Sequence, residues 1–135
     1  MTFNVLVTDA SYKHSLGIVR ALGKCNIKPF VLGEKKNTLS AFSKYSKGVI
    51  ELAQNYDYEI FLDTLKQYNI ELIILVGTNS FKKIVPWKLL LKENNIEIIT
   101  VDLQTQEIAF SKVETYKLAE KIGVPIPKTF YPKTF

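Results

Sequence analysis

The apolar residues along this chain change period several times, and each change marks an element. Asn4-Val-Leu-Val-Thr8 is a short apolar run that predicts a buried strand. From about Lys13 the pattern turns helical, with Leu16, Val19 and Leu22 in step, and Gly23 and Asn26 stop that helix. Lys28-Pro-Phe-Val-Leu32 reads as a second strand, with Pro29 tolerable near its start. A polar loop follows, then a short helical piece with Leu39, Phe42 and Tyr45, and a third strand over Gly48 to Leu52. Tyr58, Phe61, Leu62, Leu65 and Tyr68 fall at i, i+3, i+4, i+7 and i+10, the cleanest amphipathic helix in the sequence.

Leu72 to Val76 is continuously apolar, as expected of a central parallel strand covered on both faces. Gly77-Thr-Asn-Ser80 then leads into a helical stretch interrupted by Pro86, which opens a helix carrying Trp87, Leu90 and Leu91. Ile96 to Val101 is the fifth strand, and Asp102 to Phe110 a short helix. Strands that alternate with helices imply right-handed crossovers. The fold class expected is therefore α/β: an open doubly wound, Rossmann-like parallel sheet of about five strands in a three-layer α/β/α arrangement.

At 135 residues the chain is one domain's worth, able to bury roughly two-thirds of its unfolded surface. Its 47% hydrophobic and 23% charged composition is ordinary for a globular domain. The net charge of +5 comes from scattered lysines and one arginine, which describes a solvated basic surface better than a nucleic-acid stripe. No run is long enough to span a bilayer, the N-terminus reads straight into a strand without a signal peptide, and Cys25 is alone. These features predict a cytoplasmic protein without nucleic-acid or membrane partners.

In such a sheet, ligands bind outside the carboxyl ends of the strands, near a topological switch point. The loop after the first strand, Thr8-Asp-Ala-Ser-Tyr-Lys-His14, has no GxGxxG, which argues against a dinucleotide fingerprint. Asp9 and Ser11 can hydrogen-bond a small-molecule substrate, although one of them capping the first helix is the simpler reading. Thr78, Asn79 and Ser80 after the fourth strand form a second candidate, with Ser80 as a plain N-cap the simpler alternative. His14 has no metal partner at ligand spacing and reads as a solvated first-turn residue. Cys25 reads as a small buried apolar residue. No catalytic triad, CxxC or acidic metal cluster can be assembled, so no catalytic or metal residue is assigned.

Ser111 followed by Glu114 is a capping box, and Gly123 with Pro125 ends the helix it starts. Lys112 at the first helical position opposes the helix dipole, unless an anion such as a phosphate comes to that helix end. Ser111-Lys112, this helix and Gly-Val-Pro-Ile-Pro-Lys-Thr129 resemble the connecting segment of ATP-grasp ligases, where a short DK or SK opens a helix ending in G-[IV]-P-x-P. Val5 to Lys24, VLVTDASYKHSLGIVRALGK, is similar to the opening of the carbamoyl-phosphate-synthase-like branch, with Ala10 where glycine is common. Leu39 to Tyr45 and the ILVGTNS segment fall where that branch has its corresponding loops.

The resemblance implies a pre-ATP-grasp domain over residues 1–110 and a connecting helix and exit over residues 111–135. It further implies a missing ATP-grasp domain, in the same chain or a separate one, that supplies the catalytic lobes. Full-length relatives use ATP and Mg2+ to activate a carboxylate as an acyl phosphate, which an amine or similar nucleophile then attacks. By resemblance Lys112 contacts the nucleotide phosphates, Asp9, Ser11, Thr78, Asn79 and Ser80 lie on the substrate side, and this piece alone is inactive. The rival reading is a free-standing flavodoxin-like ligand- or nucleotide-binding module. A phosphoryl receiver fits poorly, because Asp9 stands without an acidic partner and Leu52-Ala53-Gln54 follows the third strand. Half of a nucleotide-sugar transferase has no use for the Lys-helix-GVPIP exit. A pure interaction module would need a binding stripe, whereas Trp87 and the tyrosines read as core and rim. The exposed edge strands offer a surface for a homodimer.

Overall fold

The architecture is that of a computed structural model, which describes residues 3–131. The final Pro-Lys-Thr-Phe of the exit segment lies outside the described residues. Backbone packing divides the chain into two compact units, Met1–Thr100 and Val101–Phe135.

The first unit holds five strands: β1 (Asn4–Val7), β2 (Phe30–Gly33), β3 (Gly48–Glu51), β4 (Ile70–Ile74) and β5 (Glu97–Ile99). All pair in parallel, in the order β3-β2-β1-β4-β5. The doubly wound α/β sheet expected from the alternation is thus present. From β1 the chain winds outward through β2 to β3, then returns to place β4 on the other side of β1. The switch point lies between β1 and β4, whose registered pairs include Leu6↔Ile73 and Val7↔Ile74.

Side chains alternate across this sheet with period two. Leu6, Leu32, Ile50 and Ile73 face one core cluster, together with Phe61 and Leu65 of α2 (Tyr58–Gln67), Ile84 of α3 (Thr78–Ile84) and Leu91 of α4 (Lys88–Glu93). Their neighbours Val7, Val31, Val49 and Ile74 face the other cluster, against Val19, Ile18 and Leu22 of α1 (Lys13–Lys24). Burial on both faces is why the strands read as continuous apolar runs. Trp87 and Tyr58 pack edge to face at 5.7 Å, partly buried against the first cluster.

The polar segment 39–45 carries a 3-10 turn over Leu39–Phe42, and Pro86 sits in a second such turn, Val85–Trp87, just ahead of α4. Helix endings rest on left-handed residues at C′: Asn26, Asn69 and Asn95, with φ of 61°, 50° and 61°. Asn26 and Asn95 complete Schellman motifs, with Ile27 donating to Leu22 O and Ile96 to Leu91 O, both at 3.0 Å. Cys25 is the exposed C-cap of α1, which corrects the expectation of a buried residue: at the helix end its side chain has left the face that packs on the sheet.

The second unit holds α5 (Leu103–Phe110) and α6 (Lys112–Lys121). Asp102 caps α5, accepting from the backbone N–H and the hydroxyl of Thr105, each at 2.8 Å, and these bonds hold its carboxyl below the usual range. Ser111 caps α6 by accepting from the Glu114 N–H at 3.2 Å. Only this half of the capping box forms, because the Glu114 carboxylate pairs with Lys117 at 2.8 Å while the Ser111 N–H donates to Glu107 O at 3.2 Å. Gly123, with φ of 76°, ends α6 in a third Schellman motif, closed by Val124 donating to Ala119 O at 2.8 Å.

Candidate functional site

Beyond β1, Thr8 is fully buried at the switch point. Its hydroxyl accepts from the Val76 N–H at 3.0 Å and donates to Asp9 Oδ2 at 2.5 Å. Asp9 then turns left-handed, with φ of 57°, a conformation that aspartate tolerates better than most residues. The turn brings its carboxylate across to the loop after β4, where the Gly77 N–H donates to Oδ2 at 2.8 Å. Ser15 Oγ lies 2.8 Å from Thr8 O and 2.7 Å from Asp9 O, so its single proton serves both carbonyls. Ala10 donates to Leu32 O and accepts from the Ser40 N–H, each at 2.9 Å. The loop is fixed from three sides.

Neither simple capping alternative survives. Tyr12, not Asp9 or Ser11, is the N-cap of α1, and it makes no side-chain cap bond. Gly77 is the N-cap of α3, so Thr78, Asn79 and Ser80 form its first turn and Ser80 is not a cap. The cause is Gly77 itself: its N–H is committed to Asp9 and its extended backbone turns the chain three residues earlier than Ser80 would.

These loops line a cleft of about 230 Å3. Asp9, Ser11, Asn79 and Ser80 all border it, whereas Thr78 is exposed and does not. Further polar walls come from residues not assigned to the site from sequence: Glu34 after β2, Gln54 and Tyr56 after β3, and Lys83 on α3. A signal for three of them existed. Lys83 lies three residues after Ser80, hence on one helix face with it, and Glu34 directly follows a strand end. Gln54, in the Leu52-Ala53-Gln54 run after the third strand, carried the same signal, whereas nothing local marked Tyr56.

Polar groups in the cleft are pinned in place. The Lys83 ammonium sits 3.7 Å from the centroid of the Tyr56 ring and donates to the Gln54 carbonyl. The Gln54 side-chain amide donates to Glu34 Oε1. Tyr56 stacks on Phe61 at 5.1 Å, which carries the core up to the cleft wall. Burial, reinforced by the Asp9 charge, pushes the Tyr56 hydroxyl up to about 12, so it stays a neutral donor throughout the physiological range. The cleft therefore offers two carboxylates, one ammonium, and several hydroxyls and amides. Such a set can bind and orient a polar molecule. No group of three or more metal-ligating side chains occurs among the described residues.

Lys112 belongs to the second unit and is exposed at the first turn of α6. It takes part in no ion pair among the described residues. His14 is exposed in the first turn of α1, as expected. Among the described residues, no helix is long and apolar enough to cross a membrane.

No protein-family model matches the chain, and no curated protein matches it significantly. Solved structures do. The biotin carboxylase domain of a thermophilic 2-oxoglutarate carboxylase bound to bicarbonate aligns with 90% of the chain at a TM-score of 0.63 and 16% identity. The biotin carboxylase subunit of a pyruvate carboxylase aligns with 93% at 0.65 and 14% identity. A dimer of the same domain from Hydrogenobacter thermophilus 2-oxoglutarate carboxylase, in complex with MgADP, ADP and bicarbonate, aligns with 90% at 0.60 and 16%. The chain spans 28%, 29% and 28% of these three chains, less than a third of each. At such identities the likeness establishes the fold alone.

Proposed function

We propose that this chain is the N-terminal, substrate-side domain of an ATP-dependent ligase of the ATP-grasp type. The observation that carries the reading is the conjunction of two features. The fold aligns over about nine-tenths of the chain with biotin carboxylase domains, which are ATP-grasp enzymes. The Ser111-Lys112 helix then ends in Gly123-Val-Pro-Ile-Pro127, as the connecting segment of that superfamily does. The finer assignment, to the carbamoyl-phosphate-synthase-like branch, is supported by the sequence resemblance of Val5 to Lys24.

In this reading Asp9, Ser11, Asn79 and Ser80 touch substrate, joined by Glu34, Tyr56 and Lys83, while Thr78, which does not border the cleft, does not. Lys112 meets the phosphates of ATP held mainly by a further domain. Its fit is chemical: an unpaired ammonium beside the positive end of a capped helix favours an anion. ATP and Mg2+ supply the activation of a carboxylate as an acyl phosphate when bound. The residues of this chain bind and orient the substrate and keep a neutral tyrosine hydroxyl and two carboxylates at fixed places. A homodimer, and an ATP-grasp domain as neighbour, belong to the same proposal.

The test is MgATP turnover. With the 135-residue chain alone, neither ATP hydrolysis nor ligation is expected, and ATP affinity is feeble. A longer gene product carrying the ATP-grasp lobes is expected to hydrolyse ATP when its substrate is supplied. Robust turnover by the 135 residues alone would overturn the reading, and a gene product without ATP-grasp lobes would favour a free-standing ligand-binding module.

A further inference from the structure

Asp9, Glu34 and Lys83 border one cleft, yet none is ion-paired among the described residues. Glu34 is exposed, while Asp9 and Lys83 are half-buried. Here each is tied to a neutral group instead. Asp9 Oδ2 holds the Thr8 hydroxyl and the Gly77 N–H, leaving Oδ1 without a hydrogen bond among the described residues. Glu34 accepts from the Gln54 side chain. Lys83 is fixed by the Gln54 carbonyl and lies over the Tyr56 ring. The ties keep the cation and the two anions separate.

We propose that the cleft seats a small zwitterion, its ammonium against Asp9 and Glu34 and its carboxylate against Lys83. The inference rests on the substrate-side reading of the cleft, but its test needs neither nucleotide nor a further domain. Charge matching excludes the simpler ligands. A dicarboxylate finds one cation and two repelling carboxylates, a diamine sets an ammonium against Lys83, and a neutral molecule displaces water from three charges without compensation. A space of about 230 Å3 leaves room for a short aliphatic spacer between the two charges. Leu32 and Leu52, which also line the cleft, supply an apolar surface for that spacer.

The experiment titrates the 15N-labelled chain with ω-amino acids from glycine to 6-aminohexanoate, and with the α,ω-diamine and dicarboxylate of matching length. The amide signals of Gly77, Asn79 and Ser80 report binding. At least one ω-amino acid is expected to saturate, with a Kd about tenfold or more below those of its matched diamine and dicarboxylate. Lys83→Met should abolish that advantage over the diamine. Glu34→Gln, which leaves the Asp9 turn and its carboxylate intact, should reduce it over the dicarboxylate. The proposal fails if no ω-amino acid saturates, if a matched diamine or dicarboxylate binds as tightly, or if both variants bind like the parent. Zwitterion binding here, together with no ATP turnover in a longer chain, would leave this inference standing and remove only the ligase reading.

Discussion

Gly77 donates its backbone N–H to Asp9 Oδ2 at 2.8 Å, and a Cβ on Gly77 would lie 2.5 Å from Asp9 Oδ1. One glycine thus both holds the carboxylate and leaves the space it occupies. With φ of −85° its backbone suits any residue, so the requirement is steric. Gly77→Ala is expected to cost about 1–3 kcal/mol in urea unfolding, because Asp9 is tied at both neighbours and can yield only by breaking those bonds. Its crosspeaks at Thr8, Asp9 and Val76 should move together. An alanine variant of parental stability would show that Asp9 is not fixed by this contact.

That contact also shows where sequence reading stops. Continuous apolar runs announced buried parallel strands, and the turn residues between them announced the alternation, because both depend on neighbours within a few positions. The pairing of the β1 and β4 loops depends on residues 68 apart, through the Asp9–Gly77 bond. Ser80 therefore passed for a cap when Gly77 is one, and Asp9 for a cap when it bridges the switch point. Tyr56 had no local mark, and the position of Gln54 after the third strand did not by itself say that the order of the strands brings the end of β3 to the cleft.

Two glycines of α1 should respond with opposite sign to the same substitution. A Cβ on Gly17 meets nothing within 4 Å, so Gly17→Ala gains helix propensity and should stabilise by about 0.5–1 kcal/mol. A Cβ on Gly23 would lie 2.2 Å from Cγ of the Tyr45 ring, which rests on the helix there. Gly23→Ala should therefore destabilise by about 1–3 kcal/mol. Thermal unfolding of the two variants side by side decides it: shifts of the same sign would contradict the packing of Tyr45 on α1.

Tyr56 gives the cleft a pH signature. Its hydroxyl ionises near 10.0 when unfolded and is pushed up to about 12 in the fold, first by burial and then by Asp9. The folded state therefore holds the proton more tightly, so its share of stability is intact below pH 10 and is lost as pH rises through 12. Stability of the parent chain should fall more steeply across that interval than stability of Tyr56→Phe, compared by urea unfolding at each pH. Identical slopes would mean that the hydroxyl is as free in the fold as in the unfolded chain.

Lys112 separates what folding wants from what function wants. A cation in the first turn of α6 opposes the helix dipole, and exchanging it for an anion should strengthen the helix by about 0.3–1 kcal/mol at low salt. Lys112→Glu is thus expected to raise the helicity of the chain slightly. In a longer chain carrying the ATP-grasp lobes, the same change should raise the KM for ATP about tenfold or more, because a phosphate contact becomes a repulsion. Helicity gained together with ATP affinity lost is expected only if the lysine is kept for an anion. A gain in helicity with unchanged KM would leave Lys112 a solvated surface residue, and the connecting helix would lose its link to the nucleotide.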